Sequence, residues 1–138
     1  MALSTNPIFP QTPKTAGIAF GGTSHSTQMD PATVAPTALV TAGADGALVT
    51  NVEITAEATV VVEKFVLWVQ LLGAGNWYAL KSVVLAAYTQ AVGDEQGSVT
   101  LVNKTNPDEA IRLAGTDKLG VTHHVDQQSI VFAEYTDF

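Results

Sequence analysis

The chain of 138 residues has the length of one ordinary domain, enough to bury a single sizeable core. Its 13 acidic and six basic side chains give a net charge of −7, and no lysine or arginine cluster appears, which argues against direct binding to nucleic acid or to an anionic membrane face. With no cysteine there are no disulfides, thiolate metal sites or cysteine nucleophiles, and with only 14% of residues charged against 46% apolar the surface must be neutral and hydroxyl-rich or covered by partners.

The first residues, MALSTNPIFPQTPK, lack the basic start and apolar stretch of a secretory signal and read as a mature end. Pro7, Pro10 and Pro13 recur every third residue; each fixes φ and pushes its predecessor toward extended geometry. Residues 1–16 are therefore expected to form an extended N-terminal arm, followed by one domain at 17–138. A solvated tail would waste Ile8 and Phe9 in water, so Ile8, Phe9 and Pro10 become candidate contacts to a partner.

Ile18–Phe20 suits a short strand, and 21–36 is a loop rich in turn formers that ends at Pro36. In TAGADGALVTNVEITAEA, residues 41–58, Asp45-Gly46 favours a tight reversal. Beyond it Leu48, Val52, Ile54 and Ala56 fall on one parity and Asn51, Glu53, Thr55 and Glu57 on the other, the pattern of a half-buried strand. Val60–Leu72 is apolar on both sides: Phe65, Leu67, Val69 and Leu71 on one, Val62, Val66 and Trp68 on the other. In a two-sheet sandwich only one face of each sheet meets the core. Val66 and Trp68 are thus either part of a doubly covered central strand or a subunit contact with an aromatic anchor.

Gly73-Ala74-Gly75-Asn76 reverses the chain into Trp77–Val84, where Trp, Tyr and paired Val favour a strand, although Leu80, Val83, Val84, Ala87 and Ala91 also match helical spacing. Short strands are expected at Ser98–Asn103, Ala110–Leu113, Leu119–Val125 and Ile130–Tyr135. Some eight short strands with regular turns describe an all-β, jelly-roll-like antiparallel β-sandwich.

Nothing in the sequence assembles a catalytic or cofactor site. His123 and His124 would point to opposite sides of a strand and cannot share an ion from one face; His123 is expected to be half-buried and His124 to face outward beside Thr122. Ser24-His25-Ser26 are sequence neighbours, whereas triads draw on separate elements. Asp94-Glu95 and Asp108-Glu109 read as solvated acids in turns, and Gly73-Ala74-Gly75 lacks the lysine and helix of a phosphate loop. No enzyme activity, metal or cofactor is expected.

The stretches NPIFPQTPK, LVTAGADGALVTNVEIT, NWYALKSVVL and IVFAEYTDF together resemble capsid decoration, or cement, proteins of tailed double-stranded DNA phages. The resemblance implies a structural protein made in the host cytoplasm and carried on the exterior of the virion. There it would bind the major capsid protein, commonly as a homo-oligomer, dimer or trimer, and stabilise contacts between capsid subunits. Ile8, Phe9, Pro10, Val66 and Trp68 are then the candidate capsid or subunit contacts. The alternative is a host- or carbohydrate-binding module of a phage fibre or tail component, with Trp77 and Tyr78 as stacking residues.

Overall fold

The computed structural model describes residues 12–21, 35–71 and 75–138. They form β1 (Thr12–Phe20), β2 (Thr37–Thr41), β3 (Ala47–Ala56), β4 (Glu63–Gln70), β5 (Trp77–Leu85), β6 (Ser98–Val102), β7 (Ile111–Leu113), β8 (Lys118–His123) and β9 (Ser129–Asp137), with a single 3-10 turn at Pro107–Glu109. The chain is an all-β, jelly-roll-like sandwich. One sheet runs β1-β9-β3-β6, with β7 also on β3; the other runs β2-β8-β4-β5. Every pairing is antiparallel. Among successive strands only β4 and β5 pair with each other, so the chain repeatedly crosses between sheets, as a double Greek key requires.

Alternation along the strands fills the space between the sheets. Phe65, Leu67 and Val69 from β4 meet Val52, Ile54 and Ala56 from β3, Leu119 and Val121 from β8, and Val131 and Ala133 from β9 in one core. On β3 the simple parity expected from the sequence fails: Ala47 and Val49 point inward, then a register shift between Val49 and Asn51 resets the alternation so that Val52, Ile54 and Ala56 point inward. Leu48 is consequently only half-buried and does not share a face with Val52. A bulge inserts one residue and exchanges the faces, which a period-two count cannot foresee.

The Asp-Gly reversal is present, with Gly46 N–H donating to the Gly43 carbonyl at 3.2 Å. It carries the chain from one sheet to the other, since β2 and β3 do not pair. Gly46 has φ +103°, and a β-carbon there would lie 2.5 Å from the Leu113 carbonyl oxygen. Gly46→Ala is expected to lower stability by about 1–3 kcal/mol, measured by urea unfolding.

Two boundaries differ from the sequence expectation. Residues 12–16, assigned to the arm, pair with β9 from Thr12↔Asp137 to Ala16↔Ala133, and Lys14 donates to the Asp137 carboxylate. Residues 1–11, the remainder of the arm, lie outside the described residues, as does most of the 21–36 loop. The ambiguous stretch after Trp77 is a strand as far as Leu85, paired with β4. Beyond it Tyr88 bridges Val60, and no helix follows.

The sheet margins are blunted against strand addition. β1 carries Pro13 and Lys14, β2 and β6 have five residues each, β2 is broken by a register shift, and β5 has a bulge at Leu80 followed by Lys81. Short edges, bulges, proline and lysine are the usual obstacles to edge-to-edge pairing. Association of this molecule therefore falls to its faces and loops.

Glu109, expected as a solvated acid, instead organises the β6–β7 connection. It accepts from the Asn103 amide at 3.0 Å and from Asn106 Nδ2 at 3.2 Å, and lies 3.6 Å from Lys81 Nζ of the facing sheet. The Asn103 hydrogen bond, opposed by desolvation and helped by Lys81 and Asn106, holds its carboxyl below the usual carboxylate range. A folded-state value below the unfolded one gives a contribution that is present at neutral pH and lost as pH falls through the folded value. On acidification the Asn103 amide is expected to lose hydrogen-exchange protection before the core strands do, and Glu109→Gln should abolish that pH dependence.

Candidate functional site

Strand β4 is central in its sheet, so its outward side chains land on a surface flanked by β8 and β5. Val66 and Trp68 occupy that outer face, separated from the main core by the sheet itself. Trp68 is 8% exposed and Val66 6%. The indole Nε1–H donates to Thr122 Oγ1 at 2.8 Å, which explains why Thr122, an outward residue of β8, is itself buried. Gly120 stands opposite Trp68 in register, and a β-carbon there would lie 2.7 Å from the Trp77 ring and 3.0 Å from Pro36. Trp77 and Pro36 therefore both crowd Gly120, and the missing side chain is what admits them. Most of the outer face of β4 is covered within one chain, which is the first of the two alternatives left open for Trp68: β4 is a central strand buried on both faces.

What remains accessible lies beside it on the edge strand. Lys64, Val66, Trp68, Ala79, Leu80, Lys81 and Ser82 line a groove of about 380 Å³. Val66 and Trp68 form its buried floor, while Leu80 is 47% and nearby Val84 54% exposed. The bulge at Leu80 interrupts the β4–β5 register here. A second depression, on the other sheet, is lined by Pro13, Lys14, Thr15, Thr50, Lys104, Glu134, Tyr135 and Thr136, but its charges are satisfied internally through Lys14–Asp137 and Lys104–Glu134, the latter at 3.7 Å. The apolar groove is the surface with binding capacity to spare.

Of the sequence candidates, Val66 and Trp68 are brought together, with Trp77 joining them on the same side; Ile8, Phe9 and Pro10 lie outside the described residues. Tyr78, offered beside Trp77 as a stacking residue, pairs with inward-facing Val69 and is 51% exposed at the sheet margin. Trp77 and Tyr78 are successive residues of β5 and point to opposite faces, so the two aromatics do not form one platform.

The histidines separate as the strand geometry demands, but His123 is wholly buried rather than half-buried. Its Nδ1 lies 2.8 Å from Glu63 Oε1, both side chains being fully buried, and its ring sits 4.2 Å from Phe20 and 6.2 Å from Phe65, centroid to centroid. Gln127 Nε2 donates to Glu63 Oε2 at 2.6 Å and to the Val61 carbonyl at 3.0 Å, while its Oε1 accepts from the Val61 amide at 2.9 Å. His124 Nδ1 accepts from the Lys64 amide at 2.8 Å. The cluster stitches the turn after β8 to the start of β4. The sequence reading missed Glu63 and Gln127 as its members. Among the described residues no group of three potential ligands could hold a metal ion, and Ser24-His25-Ser26 lie outside those residues, as do Gly73 and Ala74.

No protein-family model matches the chain, and no curated protein sequence matches it. Among solved structures, Eiger TNF from S. frugiperda is similar over 93% of this chain and 94% of that chain, at 17% identity and a TM-score of 0.49. A likeness of that degree says nothing about function. No helix among the described residues is long and apolar enough to cross a membrane.

Proposed function

We propose that the protein is a non-enzymatic decoration protein that binds the outer surface of a tailed-phage capsid and stabilises contacts between major capsid subunits. The observation that carries this reading is the apolar groove at β4 and β5, bordered by exposed Leu80 and Val84 on a strand whose bulge and Lys81 discourage edge pairing. Such a surface suits side-chain contact with a flat partner. The sequence resemblance gives the partner, and the net charge of −7 suits an exterior position away from packaged DNA. Many copies on one shell turn modest contacts into firm attachment.

The test is co-sedimentation with shells that lack the protein. Saturation at a fixed multiple of the shell's symmetry copies is the expected result; absence of binding by a folded protein overturns the role. Because β1 begins at Thr12, an arm deletion must stop at Gln11. Removal of residues 1–11 is expected to leave a folded β-sandwich by circular dichroism and to weaken shell binding at least tenfold. Glycan binding in place of shell binding would favour the fibre or tail module, for which exposed Tyr78 is the residue to replace first.

A further inference from the structure

We propose that the groove on the outer face of β4 and β5 receives the Pro7-Ile8-Phe9-Pro10 segment of a second copy of this chain. The segment supplies two large apolar side chains between two prolines, in a stretch from Met1 to Gln11 without a charged side chain. A P-x-x-P sequence favours the extended, pre-ordered form that docks into aromatic-lined grooves. The groove matches it: buried Val66 and Trp68 with Ala79 and Leu80 supply apolar lining, and Lys64, Lys81 and Ser82 complete it. On the same face Pro36 and Trp77 both crowd Gly120.

Reach decides that the donor is another copy. β1 lies over β2, and β5 lies over β6, so the arm leaves the sandwich on the lateral margin opposite β5. The groove floor on β4 lies two strand spacings, roughly 10 Å, in from β2, and a chain passing round that margin must also cover about 10 Å between the sheets, about 20 Å in all. Phe9 and Pro7 precede Thr12 by three and five residues, so they extend at most about 11 Å and about 18 Å from it. The segment cannot cross its own molecule to the groove. It can enter the groove of a neighbour.

The chain has no native cysteine, so an engineered pair reports this contact alone. Phe9→Cys protein mixed with size-tagged Leu80→Cys protein is expected to give a mixed disulfide-linked dimer under mild oxidation, at least tenfold above the yield when Ser98→Cys replaces Leu80→Cys as partner. Sedimentation of the cysteine-free chain should show an oligomer, and Phe9→Asp and Leu80→Asp should each raise its dissociation constant at least tenfold while the far-ultraviolet circular dichroism stays that of the parent. A wild-type chain that is monomeric throughout the micromolar range overturns the inference. So does an intramolecular link in the double variant Phe9→Cys/Leu80→Cys. These experiments are read in free solution. A chain that exchanges arms yet ignores shells keeps this inference and loses the decoration role, and a monomer that saturates shells does the reverse.

Discussion

His123→Ala is expected to remove about 3–5 kcal/mol of stability, a large share of the 5–15 kcal/mol typical of a whole domain. The loss has two sources. The imidazole fills space between Phe20 and Phe65, so truncation opens a cavity. It is also the partner of fully buried Glu63 Oε1, and that oxygen, left with Gln127 bonded only to its neighbour Oε2, would go without a partner away from solvent. Replacing both residues, Glu63→Leu with His123→Leu, removes the polar groups together and is expected to recover most of the loss, because well-packed apolar replacements of buried pairs are often neutral. Urea midpoints of the three proteins decide it: a double variant no more stable than the single one would mean that packing, not the carboxyl–imidazole contact, supplies the energy.

Trp68→Ala is expected to cost a similar amount, about 3–5 kcal/mol, despite lying outside the main core. The indole is almost fully covered, and its removal uncovers Val66 and leaves buried Thr122 without its donor. Trp68→Phe keeps most of the apolar contact and gives up the hydrogen bond, for about 1 kcal/mol. Leu80→Asp, a few ångströms away on exposed surface, should stay within about 0.5 kcal/mol of the parent. Thermal unfolding of this series separates the part of the outer face that holds the fold from the part available to a partner. A Trp68→Ala protein as stable as the parent would return the indole to the interface.

The strand content and sandwich class were legible because alternation and turn residues are local properties. The short strands near 98–103, 110–113, 119–125 and 130–135 appear within a residue or two of their expected places. The β3 bulge was not legible, since Val49-Thr50-Asn51 looks like uninterrupted alternation and only the register with β9 reveals the extra residue. The site was legible in composition but not in assignment. Val66 and Trp68 announced a second apolar face, yet Gly120 opposite Trp68, with Trp77 and Pro36 crowding it, is brought there by topology alone. Glu63 did leave a signal: it shares the inward parity of Phe65, Leu67 and Val69, and an acid at an inward position demands a partner. That partner, His123, lies 60 residues away on a strand whose pairing with β4 no local pattern encodes.

The place of β9 between β1 and β3 has a kinetic consequence. β9 is the last strand in chain order, yet both neighbours depend on it, and β1 has no other partner in its sheet. Until β9 inserts, β1 cannot be held and one side of the sandwich stays open. Pairings that join such remote segments must close long loops before any contact rewards them, and folding of this kind is slow. Among the described residues the β4–β5 pair is the one pairing of successive strands, so it is the natural place for order to begin. The groove at the centre of the association proposal therefore lies on the element able to form first, and the strand that anchors the arm is among the last to be secured.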